Sequence, residues 1–115
     1  MKRDFELVRL ILLEFEARDA KGQNPIAPEG YSNEEIRYHV EILVEAGFVG
    51  ADDISRLGIT RPTQLTWQGH EFLDSIRDSS QWGKIKTILT EKSLSLTFDS
   101  IKTAAAVLVK GALGG

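Results

Sequence analysis

The 115-residue chain has no cysteine, one methionine, three prolines and two histidines. Without cysteine there is no disulfide, thiolate zinc site, iron–sulfur cluster or thiol nucleophile. With only His39 and His70, a histidine-based metal centre has little to draw on, and no metal or cofactor is expected. Long apolar runs are missing as well. Asp4, Glu6 and Glu14 interrupt MKRDFELVRLILLEF too early for a signal peptide or membrane span, and the uncharged run Thr103 to Val109 is too short to cross a bilayer. The expectation is a cytoplasmic protein without a membrane partner. A basic excess is also absent: the net charge is -3 and the pI about 5.4, unlike a dedicated nucleic-acid binder. The length suits one domain, which buries roughly two-thirds of its unfolded surface and needs no covalent staple.

What is present is unevenly spread. Residues 1–79 carry nine Lys and Arg against fifteen Asp and Glu, a net of -6, while residues 80–115 carry five against two, a net of +3. The chain is therefore read as a core over 1–79 and a C-terminal helical extension over 80–115 that packs on the core or on a partner. The stretch 19–31 (DAKGQNPIAPEGY), with two prolines and two glycines, reads as a loop.

Apolar residues at Phe5, Val8, Leu12 and Phe15 recur at helical spacing, and predict a helix from Asp4 to about Arg18. Leu7, Leu10, Ile11 and Leu13 widen its apolar face, so it is expected to be covered on more than one side. Ser32 followed by Glu35 is a capping box that starts a second helix at Asn33, with Ile36, Val40 and Leu43 inward and Gly47 as its left-handed stop. Phe48 to Ala51 and Gln64 to Thr66 read as strands around a loose tip holding Asp52, Asp53, Arg56 and Gly58. Thr66 then caps a third helix with Phe72, Leu73 and Ile76 on one face. A fourth helix runs from Gln81 to about Lys92 and buries Trp82, Ile85 and Leu89, and a fifth spans Phe98 to about Ala112.

The expected class is mainly α with a small β-hairpin. The order helix, helix, hairpin, helix is that of a winged-helix domain, the helix before the hairpin being the potential recognition helix. EIRYHVEILVEAGFV followed by LTWQGHEFLDSIRD resembles the passage from recognition helix through wing to closing helix in many bacterial winged-helix regulators. More narrowly, MKRDFELVRLILL, GYSNEEIRYHVEILVEAGFV and LTWQGHEFLDSIRDSSQWGKIK resemble an uncharacterised bacterial and phage-associated family, a domain of unknown function. That resemblance spans most of residues 1–90. It implies a winged-helix-like fold and a prophage or mobile-element setting, and brings no activity or site residue. One departure stands out: where a helix-turn-helix places a short helix before the recognition helix, this chain has the loop 19–31. Either a short helical turn lies there or the motif is degenerate.

The charge of the second helix conflicts with DNA recognition. With Ile36, Val40 and Leu43 inward, Glu34, Tyr38, Glu41 and Glu45 point outward, and the helix holds four glutamates to one arginine. DNA presents a phosphate charge about every 1.7 Å of axis and attracts lysine and arginine. This acidic face therefore suits solvent or a protein partner. If DNA is bound, the candidates are Arg56 and Arg61 on the wing and Lys84 and Lys86 on the fourth helix. Two readings stay open: a DNA-binding regulator, favoured by element order, and a protein-interaction or oligomerisation module, favoured by charge.

Enzymatic signals are weak. His70, Glu71 and Asp74 echo a helical zinc-protease motif, but aspartate stands where the second histidine belongs and Phe72 and Leu73 suit packing. There is no nucleophile elbow, no phosphate-binding glycine loop and no small-molecule signature. No catalysis is expected. His39 beside the core stripe of its helix suits packing or a hydrogen bond. In the last helix, Phe98, Ile101, Ala105, Leu108 and Ala112 follow the three–four spacing of a coiled-coil seam for about two heptads. That seam either closes the protein's own core or pairs with a second copy or another protein.

Overall fold

Short oxygen-bearing side chains mark where helices begin in this chain. Asp4 accepts hydrogen bonds from the Glu6 and Leu7 amides and opens α1 (Phe5–Ala17). Ser32 and Glu35 form the reciprocal capping box that opens α2 (Asn33–Glu45). Each bond satisfies a backbone N–H that has no partner inside the first helical turn. The computed structural model describes residues 2–18, 26–54 and 59–114, with the side chains at 53, 54, 59, 60 and 112–114 left aside. Two strands follow, β1 (Val49–Ile54) and β2 (Ile59–Leu65), then α3 (Trp67–Ile76), α4 (Ser79–Glu91) and α5 (Phe98–Gly114). The protein is mainly helical with a small antiparallel hairpin, in the expected order. It divides into two compact units, Met1–Leu73 and Asp74–Gly115.

In the first unit α1 packs on both α2 and β2. Its Leu7, Val8, Ile11 and Leu12 are completely buried, as a helix covered on two sides requires. Each such side chain contributes roughly 1.5–3 kcal/mol by leaving water. α2 contributes Ile36, His39, Val40 and Leu43 to the same core. It ends on Gly47, at φ +84, where the Gly47 amide donates to the Val44 carbonyl and the Phe48 amide to that of Leu43. This doubly bonded stop needs a left-handed residue, which glycine adopts without strain.

The hairpin is longer than its apolar content suggests. Asp52 and Asp53 belong to β1 rather than to the tip, with Asp52 opposite Arg61 and Asp53 opposite Thr60. A two-stranded ribbon has water along both edges, so its polar stretch pairs as readily as its apolar one. A bulge between Val49 and Ala51 shifts the register. Of the loop 19–31, read either as hiding a short helical turn or as a sign of a degenerate motif, residues 26–31 contain a turn and no helix, and residues 19–25 lie outside the described residues.

The second unit is built on α4 against α5. Asp78 caps α4, and Trp82, Ile85 and Leu89 from that helix are buried, as are Ile101, Ala104 and Ala105 from α5. α4 ends with the same pair of backbone bonds as α2, from Ser93 to Thr90 and from Leu94 to Leu89. Here the left-handed residue is Ser93, at φ 56, which costs roughly 1 kcal/mol more than glycine would. Thr97 and Ser100 then bond reciprocally across the start of α5.

Candidate functional site

α2 separates its residues cleanly. The inward stripe carries one polar side chain, His39, only 1% exposed. Its Nδ1 lies 2.8 Å from the Glu35 carbonyl oxygen and its Nε2 2.8 Å from the Asp4 amide nitrogen. Because a backbone N–H only donates, Nε2 accepts and Nδ1–H donates, so the ring is the neutral Nδ1–H tautomer. His39 thus ties the start of α1 to α2, a structural role that satisfies both ring nitrogens. Beside this junction, burial raises the Tyr31 hydroxyl above its ordinary pKa, and the carboxylates of Asp4, Glu6 and Glu35 push in the same direction.

The outward face of α2 holds Glu34, Glu41 and Glu45, all exposed, and Tyr38, half-buried with its ring edge-on to His39. Among the described residues, none of these three glutamates forms an ion pair. Acidic residues fill the first turn of α2 and no basic residue stands in its last. The partial negative charge at the helix C-terminus therefore adds to that of Glu45 instead of being offset.

The basic candidates are placed differently. Arg61 on β2 is exposed and lies 3.5 Å from the Asp52 carboxylate. An ion pair so open to water is worth well under about 1 kcal/mol, but it holds the charge against an opposite one. Arg56 lies outside the described residues. In the second unit Lys84 is exposed, while the Lys86 ammonium sits 5.3 Å from the centre of the Trp82 ring, a cation–π contact. On α5, Ile101 and Ala105 are buried, and Phe98 and Leu108 half-buried; the side chain of Ala112 is outside the described ones. Much of the heptad-like seam thus serves the core of its own unit, while Val107 and Val109 stand exposed.

The HExxH-like string does other work. Glu71 accepts the indole N–H of Trp67, and Asp74 pairs with Arg77 at 2.8 Å. Among the described residues no group of three His, Asp or Glu is gathered to hold a metal ion. His70 lines an open cleft of about 210 Å³ with Phe15, Glu16, Arg18, Thr63, Gln64 and Leu65, smaller than the roughly 300–1,000 Å³ of pockets that enclose small ligands. Among the described residues, no helix is long and apolar enough to cross a membrane.

Trp67 is the residue that reading the sequence missed. It is the first residue of α3 and 78% exposed. The signal was available: at about 100° per residue, Trp67 lies about 180° from the centre of the Phe72, Leu73 and Ile76 stripe, with Glu71 on its own side. The turn beneath it is tightly built. The Thr66 hydroxyl donates to the Gly47 carbonyl at 2.6 Å and accepts from the Gly69 amide at 3.0 Å. The Thr66 amide donates to the Phe48 carbonyl at 3.1 Å, and Phe48 and Phe72 stack with centroids 5.1 Å apart. The start of α3 is therefore seated on the end of α2.

Comparison with known proteins adds family membership. The model of a family described as Hypothetical protein (DUF2513) matches residues 2–95, from α1 through α4. A relative described as an uncharacterized protein, from Haemophilus influenzae, is 39% identical over 116 residues, covering 95% of this chain and 96% of its own length. No solved structure matches. With the elements α1 to α4 and the hairpin inside the matched span, the chain belongs to the DUF2513 family of hypothetical proteins.

Proposed function

We propose that this protein is a regulatory binding module with a winged-helix-like arrangement whose α2 meets a protein partner instead of a DNA groove, and that it carries out no catalysis. The observation that supports this is the set of exposed glutamates on α2, Glu34, Glu41 and Glu45, without ion-pair partners among the described residues. In a DNA complex this helix would face the duplex, and its carboxylates would oppose the phosphates instead of displacing counterions. On a protein the same face gains from any basic patch opposite it and rejects acidic partners. The cytoplasmic and mobile-element setting implied by the family resemblance belongs to the same proposal.

A DNA-binding regulator is the second reading, favoured by the order α1, α2, hairpin, α3 and by the +3 charge of residues 80–115. One experiment separates the two. The protein is used as bait in lysate of its native host, with and without nuclease, beside a variant carrying Glu34→Gln, Glu41→Gln and Glu45→Gln. The expected result is a protein partner that survives nuclease and is lost with the triple variant. Capture abolished by nuclease, or undiminished in the triple variant, overturns the protein-binding reading through α2.

A further inference from the structure

Trp67 is far more exposed than its size warrants. A tryptophan buries 150–250 Å² when it packs, yet this one stands 78% open at the start of α3. Its indole N–H is held by Glu71 one helical turn on, which restricts the ring to few orientations. The backbone beneath it is fixed by the Thr66 bonds to Gly47 and Phe48. An exposed aromatic held in this way loses little conformational entropy on binding, the property that makes tryptophan a frequent centre of interfaces.

The surroundings specify the chemistry of the occupant. Thr66, the residue before Trp67, is bonded to Gly47, two residues beyond Glu45. That bond seats the backbone of α3 on the acidic end of α2, where no basic residue offsets the helix C-terminus, while the ring itself stands on the opposite side of α3 beside Glu71. The unit itself is acidic, with eight Lys and Arg against thirteen Asp and Glu over Met1–Leu73. A carboxylate accepting the indole N–H also pushes electron density onto the ring, strengthening the attraction of its face for a cation. Phosphate is repelled here, which disfavours a nucleic-acid base as the group that stacks on Trp67.

We infer that the outward side of the start of α3 is a docking point for an arginine-bearing segment of a partner protein, the guanidinium lying on the face of Trp67 and drawing on the Glu71 carboxylate and on the acidic charge of the unit. Arginine fits better than lysine because its planar, weakly hydrated head stacks on an aromatic ring while still bonding a carboxylate. The inference rests on the protein-binding reading above and names the partner chemistry for it.

The test uses the full-length chain and an amidated heptapeptide alternating arginine with alanine, beside lysine–alanine and glutamate–alanine versions. Trp67 is readily reached by acrylamide and Trp82, 3% exposed, is shielded, so quenching reports mainly on Trp67. The arginine peptide is expected to bind and to protect Trp67 from acrylamide, the lysine peptide to bind more weakly and the glutamate peptide not at all. Trp67→Ala, which removes an exposed ring and little packing, should weaken the arginine peptide by roughly fivefold to thirtyfold. Trp67→Phe should recover part of the loss. Unchanged far-ultraviolet circular dichroism and an unchanged urea melt check that the variants fold. Equal binding by wild type and Trp67→Ala, or a single-stranded oligonucleotide that shields Trp67 where the arginine peptide does not, overturns the inference. Loss of the lysate partner in the α2 triple variant but not in Trp67→Ala overturns it as well, while leaving the broader reading intact. Nuclease-sensitive capture in the lysate removes the broader reading, and the peptide titration still decides the chemistry of Trp67.

Discussion

His39 shows how little a buried histidine needs to do with chemistry. Both of its nitrogens are matched, one to a carbonyl of its own helix and one to the Asp4 amide, and no bonding capacity is left for a substrate or metal. Replacing it with leucine keeps the volume but leaves the Asp4 N–H without its acceptor. We predict that His39→Leu lowers unfolding free energy by roughly 1–3 kcal/mol in urea melts, whereas His39→Gln, which offers an amide oxygen, loses less. Equal melts for wild type and His39→Leu would remove the bond from the account of stability. Glu34, Glu41 and Glu45 are the opposite case: they contribute charge to a surface and little to the core. Their replacement by glutamine leaves the fold unaffected and is read only in binding.

The elements were legible in the sequence wherever a local rule decides them. Ser32 with Glu35, Gly47 and Thr66 mark helix ends through bonds made within a few residues, and all three do so in the structure. The hairpin was less legible, because Asp52 and Asp53 pair only by virtue of the strand opposite. The candidate site was legible in half. The acidic face of α2 follows from helical periodicity, but the exposure of Trp67 depends on how α3 meets α2, a contact between residues about twenty positions apart. Gly69 records that contact. A Cβ built there would lie 2.0 Å from the Phe48 carbonyl oxygen. In an open helix Gly→Ala is stabilising by roughly 0.5–1 kcal/mol, but we predict that Gly69→Ala destabilises by roughly 1–3 kcal/mol or more, measured by thermal melt. A stabilised variant would show that the junction is looser than this geometry requires.

The whole molecule is two compact units of opposite charge sense, and each holds one tryptophan in a contrasting setting. Trp67 stands open in the first, and Trp82 is buried in the second beside Lys86. Emission from Trp82 shifts to the red when its unit unfolds, whereas Trp67, already in water, contributes little to that change. Ile101→Ala removes a wholly buried side chain from α5 and should cost roughly 2–5 kcal/mol, read as an earlier red shift of Trp82 in denaturant. An unmoved transition would mean that α5 adds nothing to the core of its unit. The family model ends at residue 95, before α5 begins, although the Haemophilus influenzae relative matches 95% of the chain.

The bond from the Asp4 amide to His39 has a use beyond stability. The amide proton of a helix N-cap ordinarily trades with deuterium within moments, because no carbonyl of a preceding turn holds it. This one is held by a ring nitrogen across 35 positions of sequence and exchanges only when the start of α1 lifts away from α2. Its lifetime in heavy water is a local clock for that opening, and can be followed while a peptide or partner is added.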